Sequence, residues 1–197
     1  MSKYTLSEFK SKLSGGGARP NLFQVNLEQV KNAITGVTFD PDTNMLIKAA
    51  SLPASNVAPV EVPFRGRIFK VAGDRTFDTW TITIINDTDF SIREGFESWM
   101  QKIAQYADAS GQTAPQSYMT DIQVDQLSRN ASSMGGVEGA GLNVVKSYIF
   151  YDVFPTNISA IDLSYDTGDT IEEFTVELQV QYWESIPATT SASTAGP

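Results

Sequence analysis

Residues 173–183 read EFTVELQVQYW and carry the most regular strand pattern in the chain. Apolar side chains at even positions alternate with polar ones at odd positions: Phe174, Val176, Leu178, Val180 and Tyr182 against Thr175, Glu177, Gln179 and Gln181. Successive side chains of a β-strand point to opposite faces of its sheet, so this pattern predicts one buried face and one exposed face. The stretch therefore indicates a protein built around a β-sheet with one solvated face.

The same alternation recurs in residues 76–85, where one face holds Trp80, Ile82 and Ile84 and the other holds Thr79, Thr81 and Thr83. Its many β-branched residues are typical of strands. Weaker strand patterns are found at residues 22–27, 45–52, 60–64, 67–71, 121–127 and 144–154. The third and fourth of these flank Arg65-Gly66, and this spacing predicts a β-hairpin.

One strong helix pattern interrupts the strands at residues 89–106. Its apolar residues form a single stripe made of Ile92, Phe96, Trp99, Met100 and Ile103. The preceding residues Asp87, Thr88 and Asp89 are candidate N-terminal caps. One helix among about eight strands predicts a mainly β or α+β fold, namely a β-sandwich or barrel-like domain with one flanking α-helix.

The composition excludes several kinds of active site. The 197 residues include no cysteine and no histidine. This excludes disulfide bonds, thiolate metal sites, an imidazole general base and a Ser-His-Asp triad. Glu173 and Glu177 lie on one face of a predicted strand, but about 13 Å apart at 3.3 Å per residue, too far for a glycosidase carboxylate pair. We therefore expect no enzymatic activity, no cofactor and no metal site.

The charges are unevenly distributed along the chain. Its 14 basic and 23 acidic residues give a net charge of −9, which disfavours binding to nucleic acid. The segment after Lys146 contains no Lys or Arg, whereas the predicted hairpin is rich in charge at Arg65, Arg67, Lys70, Asp74 and Arg75. These five residues are candidates for a subunit interface with the acidic C-terminal third. A solvated basic hairpin and a solvated acidic edge are the alternative interpretation.

The two ends of the sequence differ from the middle. Leu6, Phe9 and Leu13 have helical spacing, and residues 5–8 (TLSE) have the form of a capping box. Three glycines follow at residues 15–17, so we expect residues 1–17 to form a flexible arm, with a frayed terminus as the alternative. Residues 185–197 are small and polar, which predicts a disordered tail. No secretory signal pattern and no long apolar run is found, so we expect synthesis in a cytoplasm.

Four blocks of sequence resemble the tail tube proteins of T-even-like contractile bacteriophages. They are ARPNLFQV at residues 18–25, ASLPA at 50–54, VAGDRTFDTWTIT at 71–83 with Asn86-Asp87, and FPTN at 154–157 continuing through FTV at 174–176 to YWE at 182–184. The blocks occur in the family's order, and the resemblance covers residues 18–184. The chain differs from shorter members at about residues 28–44 and 128–142 and after residue 184, all at predicted loops or ends.

The resemblance implies a structural virion protein, assembled in the host bacterial cytoplasm and located in the phage tail. Six subunits would form a ring, and stacked rings would share a β-barrel that lines the lumen and conducts the genome. Its partners would be other copies of itself, the tail sheath, tape-measure, baseplate and tail-terminator proteins. DNA would pass without specific binding, and the protein would not insert into a membrane. Candidate lumen-lining residues are Thr79, Thr81, Thr83, Thr175, Glu177, Gln179 and Gln181.

Two other functions fit the same pattern. One is the tube protein of a phage-derived contractile injection system, or a tube-like paralogue at the baseplate or terminator. The other is a monomeric β-sandwich that binds a ligand, for which a cluster of exposed aromatic side chains would be expected.

Overall fold

The computed structural model describes residues 5–13, 17–34, 36–37, 39, 41–108, 110–128, 144–166 and 168–187. Within these ranges the helices are α1 (Leu6–Lys12), α2 (Glu28–Ala33) and α3 (Ser91–Ile103). The strands are β1 (Phe23–Asn26), β2 (Ile47–Ala50), β3 (Ser55–Phe64), β4 (Arg67–Phe77), β5 (Trp80–Ile85), β6 (Thr120–Leu127), β7 (Val144–Ile158), β8 (Glu173–Gln179) and β9 (Tyr182–Pro187). The predicted mainly β class is confirmed.

The described strands form a large sheet and a separate hairpin. The large sheet has the order β1-β6-β7-β8-β5-β2, and β9 also pairs with β7. The hairpin consists of β3 and β4, which pair only with each other. The chain divides into a larger unit, residues 25–123 and 149–184, and a smaller unit, residues 1–24, 124–148 and 185–197.

The core of the larger unit is the apolar face predicted from the sequence. Trp80, Ile82 and Ile84 on β5 are buried, as are Phe174, Val176 and Leu178 on β8. Helix α3 packs on this face, since Arg93 lies over the buried Phe174 ring at 5.4 Å. The helix buries Ile92, Phe96 and Trp99, whereas Met100 and Ile103 are half-buried. The predicted stripe is thus confirmed, and its buried part lies in the first turns.

Helix α3 is shorter than predicted and begins at Ser91. The Asp87 carboxylate accepts hydrogen bonds from the Ser91 backbone N–H at 3.1 Å and from its hydroxyl at 2.7 Å. The N-cap position is Phe90, which makes no side-chain capping hydrogen bond, so among the three candidates Asp87 is the one that accepts the first helical N–H. Phe90, between them, has φ of 55°, so the chain turns sharply into the helix.

Two predicted strands are each divided in the structure. Residues 76–85 do not form one strand, because β4 ends at Phe77 and β5 begins at Trp80. Residues 173–183 also break: β8 ends at Gln179, and the chain bends before β9. At this bend the Gln181 N–H donates to the Tyr151 carbonyl, next to Asp152, whose φ is 53°. Tyr182 is consequently exposed and does not extend the buried face of β8.

The ends and insertions differ from the predictions in detail. The capping box at Thr5 and Glu8 is confirmed at the start of α1. Helix α2 and a 3-10 helix at Pro41–Leu46 occupy a region in which the sequence analysis predicted no helix. Strand β9 continues past residue 184, whereas residues 129–143 and 188–197 lie outside the described residues. No described helix combines the length and apolar character needed to cross a bilayer.

Candidate assembly surfaces

The polar face of the β5–β8 strand pair gathers five of the seven candidate lumen-lining residues. In the antiparallel register Thr81 lies opposite Glu177, and Thr83 lies opposite Thr175. Gln179 continues the same face of β8, opposite Phe154 of β7. We call Thr81, Thr83, Thr175, Glu177 and Gln179 the polar sheet face. All five are exposed or half-buried, while their strand neighbours on the other face are buried.

The other two candidates lie outside this face. Thr79 lies in the two-residue connection between β4 and β5. The Asp78 N–H before it still bonds to the Ala54 carbonyl at 3.1 Å, in the register of the hairpin. Gln181 lies beyond β8, at the bend described above. Their assignment to the face assumed that each predicted strand was continuous. Both strand breaks make that assumption wrong.

The polar sheet face carries little uncompensated charge. Glu177 is its one carboxylate, and its backbone carbonyl accepts a hydrogen bond from the Thr156 hydroxyl at 3.1 Å. At the start of β8, Glu173 forms an ion pair of 2.5 Å with Lys48 on β2. Hydroxyls and amides make up the rest. Such a surface is well hydrated and offers no Lys or Arg of its own to hold a phosphate.

The hairpin of β3 and β4 is the second surface. Its tip is a two-residue turn in which Arg65 has φ of 45° and Gly66 has φ of 79°. Two positive φ angles are the property of a type I′ turn, whose twist matches that of the strands. At the other end, the Asn56 side-chain amide donates to the Asp78 carboxylate at 3.0 Å, and the Phe77 ring lies 6.2 Å from Trp183. Among the described residues, these contacts join the base of the hairpin to the rest of the chain.

One face of the hairpin is apolar and uncovered. The register pairs Val60 with Val71 and Val62 with Phe69, and places Phe64 opposite Arg67. We call Val60, Val62, Phe64, Phe69 and Val71 the apolar ladder. All five are exposed, with Phe64 at 66% and Phe69 at 65%. Contiguous exposed apolar side chains of this kind mark interaction sites.

The free edge of β3 is blocked against pairing with another strand. Successive residues of β3 direct their N–H groups alternately toward β4 and toward the free edge. Pro59 and Pro63, which lie at positions directed toward the free edge, have no N–H to donate. Proline is tolerated in a strand where its missing N–H would point away from the partner strand. Because both prolines remove donors from the outer edge, the hairpin is suited to bind through its faces.

A bulge near the base of the hairpin requires glycine. The register shifts between Val57 and Pro59, so that Gly73 and Asp74 together lie opposite Ala58. A Cβ at Gly73 would lie 2.6 Å from the Ala58 carbonyl oxygen and 2.9 Å from a Val60 methyl. The two backbones approach too closely there for any side chain. The VAGDRTF block thus contains a structural glycine.

The structure places the charged interface candidates around this ladder. Arg65 is in the turn, with its guanidinium 5.4 Å from the Phe64 ring centroid. Arg67 lies opposite Phe64, and Arg75 lies opposite Val57. Lys70, on the other face, pairs with Glu61 at 3.2 Å, and Asp74 lies in the bulge. The charges could be selected from the sequence, but the apolar ladder could not, because the period of two in residues 60–64 indicates an apolar face and does not show that it is uncovered.

The described residues contain no group of three or more acidic side chains placed to hold an ion.

Comparison with known proteins identifies the family. The sequence profile described as phage tail tube protein matches residues 18–185. The chain belongs to the phage tail tube protein family. It is similar to the tail tube protein of Enterobacteria phage T4, with 33% identity over 171 residues, 87% of this chain and 93% of that protein. As a member of this family it is a structural component of a phage tail tube.

Solved structures show the same fold at low sequence identity. A chain of the anti-feeding prophage baseplate has a TM-score of 0.61 at 12% identity, covering 88% of this chain and 98% of that one. A chain of the sheath/tube terminator structure of the PVC extracellular contractile injection system has a TM-score of 0.57 at 13% identity, covering 86% of this chain and 96% of that one. This chain thus shares its fold with a chain of each of these two assemblies.

Proposed function

We propose that copies of this chain polymerise as stacked hexameric rings into the inner tube of a contractile phage tail, the conduit for genome delivery. The observation that carries the proposal is the apolar ladder, which nothing in the described chain covers. A two-stranded hairpin is marginal by itself in water, so a ladder of this size gains stability by packing against another copy. The ordered polymer would bury it in every subunit except those at the ends.

Within such a tube the polar sheet face would line the lumen. The sheet that contains β5 and β8, whose order ends at β1 and β2, would then join the sheets of neighbouring subunits at its edges to form a shared β-barrel. Glu177 from every subunit would repel the DNA phosphates, and the threonines and amides would hydrate the wall. At physiological salt the screening length is about 8 Å, so the repulsion acts only near contact.

The proposed partners follow from the tube's place in a tail. The sheath would surround it, the tape-measure protein would occupy the lumen before the genome, and the baseplate and terminator would bound its two ends. Assembly would take place in the host bacterial cytoplasm. DNA would pass through without specific binding, and catalysis would play no part.

A second candidate function has support from two structural similarities. The chain resembles in fold a chain from a prophage baseplate structure and one from a tube terminator structure. We therefore keep as the alternative a tube-like paralogue at the baseplate or terminator, or the tube protein of a phage-derived injection particle. A baseplate or terminator protein would form a single ring, whereas a tube protein forms many stacked rings.

Electron microscopy in negative stain tests polymerisation. Purified protein is concentrated, with and without tail baseplates as nuclei. Long hollow tubes with a regular axial repeat support the proposal. Single rings that never stack would favour the paralogue, and monomers even with baseplates present would contradict both.

Replacement of Glu177 tests the lumen assignment separately. In phage carrying Glu177→Lys, we expect tubes of normal length and slower genome ejection, because a positive ring would attract the phosphates. Glu94→Lys, on the exposed side of α3, is the matched control and should leave ejection unchanged. Ejection at the normal rate in the Glu177 variant would exclude this residue from the lumen.

A further inference from the structure

The loop between β7 and β8 forms a second uncovered surface. Its two ends are held together, since the Ser159 N–H donates to the Thr175 carbonyl at 2.8 Å and the Thr175 N–H donates to the Ser159 hydroxyl at 2.9 Å. Near its end, Asn86 fixes Glu172 twice: its backbone N–H bonds to the Glu172 carbonyl at 2.9 Å and its side-chain amide to the carboxylate at 3.1 Å. The loop is therefore fastened to the sheet at its ends, while Leu163 and Tyr165 in its middle are exposed.

Residues of this loop line a cavity of about 660 Å³ that is open to solvent. We call it the acidic cleft. Its lining includes Ile161, Leu163, Tyr165 and Ile171 as apolar groups and Asp162, Glu172 and Glu173 as carboxylates. Leu163 is 80% exposed, Ile171 is 72% exposed and Tyr165 is fully exposed. Sites that bind another molecule combine such an apolar surface with a few charged groups, typically in cavities of about 300–1,000 Å³.

The electrostatic character of the acidic cleft is negative. Its lining residues include no Lys or Arg. The described loop adds Asp166 and Asp169 outside the lining. Lys48 pairs with Glu173 at one end, which leaves the other carboxylates uncompensated by an ion pair within the described residues. An occupant of this cleft should therefore be cationic as well as apolar.

The tip of the hairpin has that chemistry. Phe64 is exposed next to the turn on the same hairpin face as Arg67, Ile68 is exposed on the other face, and Arg65 lies in the turn itself. Within the described residues neither arginine forms a salt bridge, whereas Lys70 is already paired with Glu61. The type I′ turn also presents these four side chains on a preformed support, which reduces the entropy lost on docking.

We propose that the hairpin tip of one copy, through Phe64, Arg65, Arg67 and Ile68, inserts into the acidic cleft of a second copy. This inference rests on the proposed polymerisation and identifies one pair of surfaces through which the subunits contact each other. Phe64 and Ile68, on the two faces of the tip, would contact Leu163 and Ile171, and the two arginines would face Asp162 and Glu172, which places Arg67 next to Ile171. The contact is heterologous, since it joins two different patches, and therefore propagates from subunit to subunit.

The absence of cysteine from the chain allows a direct test by disulfide trapping. Cells co-produce two single-cysteine copies, Arg67→Cys and Ile171→Cys, and the assembled tubes are treated with copper phenanthroline as oxidant. We expect a disulfide-linked dimer at least about tenfold more abundant than for the matched pair Arg67→Cys and Glu94→Cys, because only contacting sites reach disulfide distance. Glu94 is exposed on α3 and lies outside the cleft.

A third pair tests another occupant. Helix α1 is also basic and apolar, with Phe9 and Lys10 exposed. Tubes containing Ser7→Cys and Ile171→Cys should give only the background dimer. If this pair is trapped and the Arg67→Cys pair is not, the cleft receives the N-terminal helix and our inference is overturned.

Charge reversal provides the second readout. Arg65→Glu/Arg67→Glu should lower the yield of tubes at least tenfold, because two charge pairs across the interface are lost, and should leave the monomer folded. Adding Asp162→Lys and Glu172→Lys to the same chain should restore part of that yield. Normal tubes from the arginine variant would overturn the inference and leave polymerisation intact. Failure of the unaltered chain to form tubes with baseplates would instead contradict the proposed function itself.

Discussion

The β5–β8 strand pair and the β3–β4 hairpin carry a similar alternation of apolar and polar residues but have opposite surroundings. On β8, Phe174 is 1% exposed because α3 and the sheet cover it. On β4, Phe69 has the same side chain on the same kind of strand, and nothing in the described chain covers it. Alternation of apolar and polar residues therefore predicts that a strand has an apolar face. Whether that face is buried depends on the rest of the fold or on a partner.

Replacement of each of these two phenylalanines by alanine should give the largest difference in the free energy of unfolding. Phe174→Ala leaves a cavity in the core and should lower the free energy of unfolding by about 3–5 kcal/mol. Phe69→Ala removes an exposed cross-strand contact and should cost less than about 1 kcal/mol. Urea unfolding of the monomer followed by tryptophan fluorescence measures both. Equal losses would show that the hairpin is covered within the chain.

Glycine replacement tests how the hairpin keeps its shape. Gly73→Ala forces a Cβ against the Ala58 carbonyl, so we expect about 1–3 kcal/mol of strain and local loosening of the bulge. Amide hydrogen exchange should show lost protection in β3 and β4 and little change in β5 and β8. Gly168→Ala is the control, because its Cβ would meet no atom within 4 Å. Unchanged protection in the hairpin would argue against a strained bulge.

The helix that covers the sheet should depend on a single cap. Asp87→Ala removes the two hydrogen bonds to Ser91 and should reduce stability by about 1 kcal/mol. Asp89→Ala, at an exposed position in the same connection, should have a smaller effect. Thermal unfolding by circular dichroism distinguishes the two. Equal shifts in Tm would mean that the charge near the helix start matters more than the cap.

The half-buried Tyr151 on β7 should have the smallest effect on stability, and only at alkaline pH. Burial, followed by the nearby Glu184, Tyr182 and Asp121, raises the pKa of its phenol above 10.0. The folded state therefore holds this proton where the unfolded state releases it, so stability should fall as pH rises above about 10. Tyr151→Phe should reduce this alkaline loss, measured by urea unfolding between pH 8 and about 11. A loss of the same size in the variant would assign it to other groups.

The sequence could predict the strands and the core because these depend on local pattern. Trp80, Ile82 and Ile84 were assigned correctly to a buried face, and so were Phe174, Val176 and Leu178. The polar sheet face followed from the same alternation, and five of its seven candidates lie together.

The remaining features depend on contacts that are distant in sequence. Thr79 and Gln181 are displaced by strand breaks, next to which the Asp78 and Gln181 N–H groups bond to the carbonyls of Ala54 and Tyr151. Helix α2 lacks a side-chain hydrogen bond at its N-cap, which leaves little local signal for its start. Nor does local pattern reveal that the hairpin forms a sheet of its own, and for this reason the apolar ladder was missed.

The most direct test of the central claim compares tube formation by the unaltered chain and by Phe64→Ser/Phe69→Ser, with baseplates present and negative-stain electron microscopy as the readout. Urea unfolding first establishes that both monomers are folded to a similar stability. We predict abundant tubes from the unaltered chain and folded subunits without tubes from the variant, because the apolar ladder has lost its two largest side chains. Tubes of equal number and length from the variant would contradict the claim that this ladder is an assembly surface.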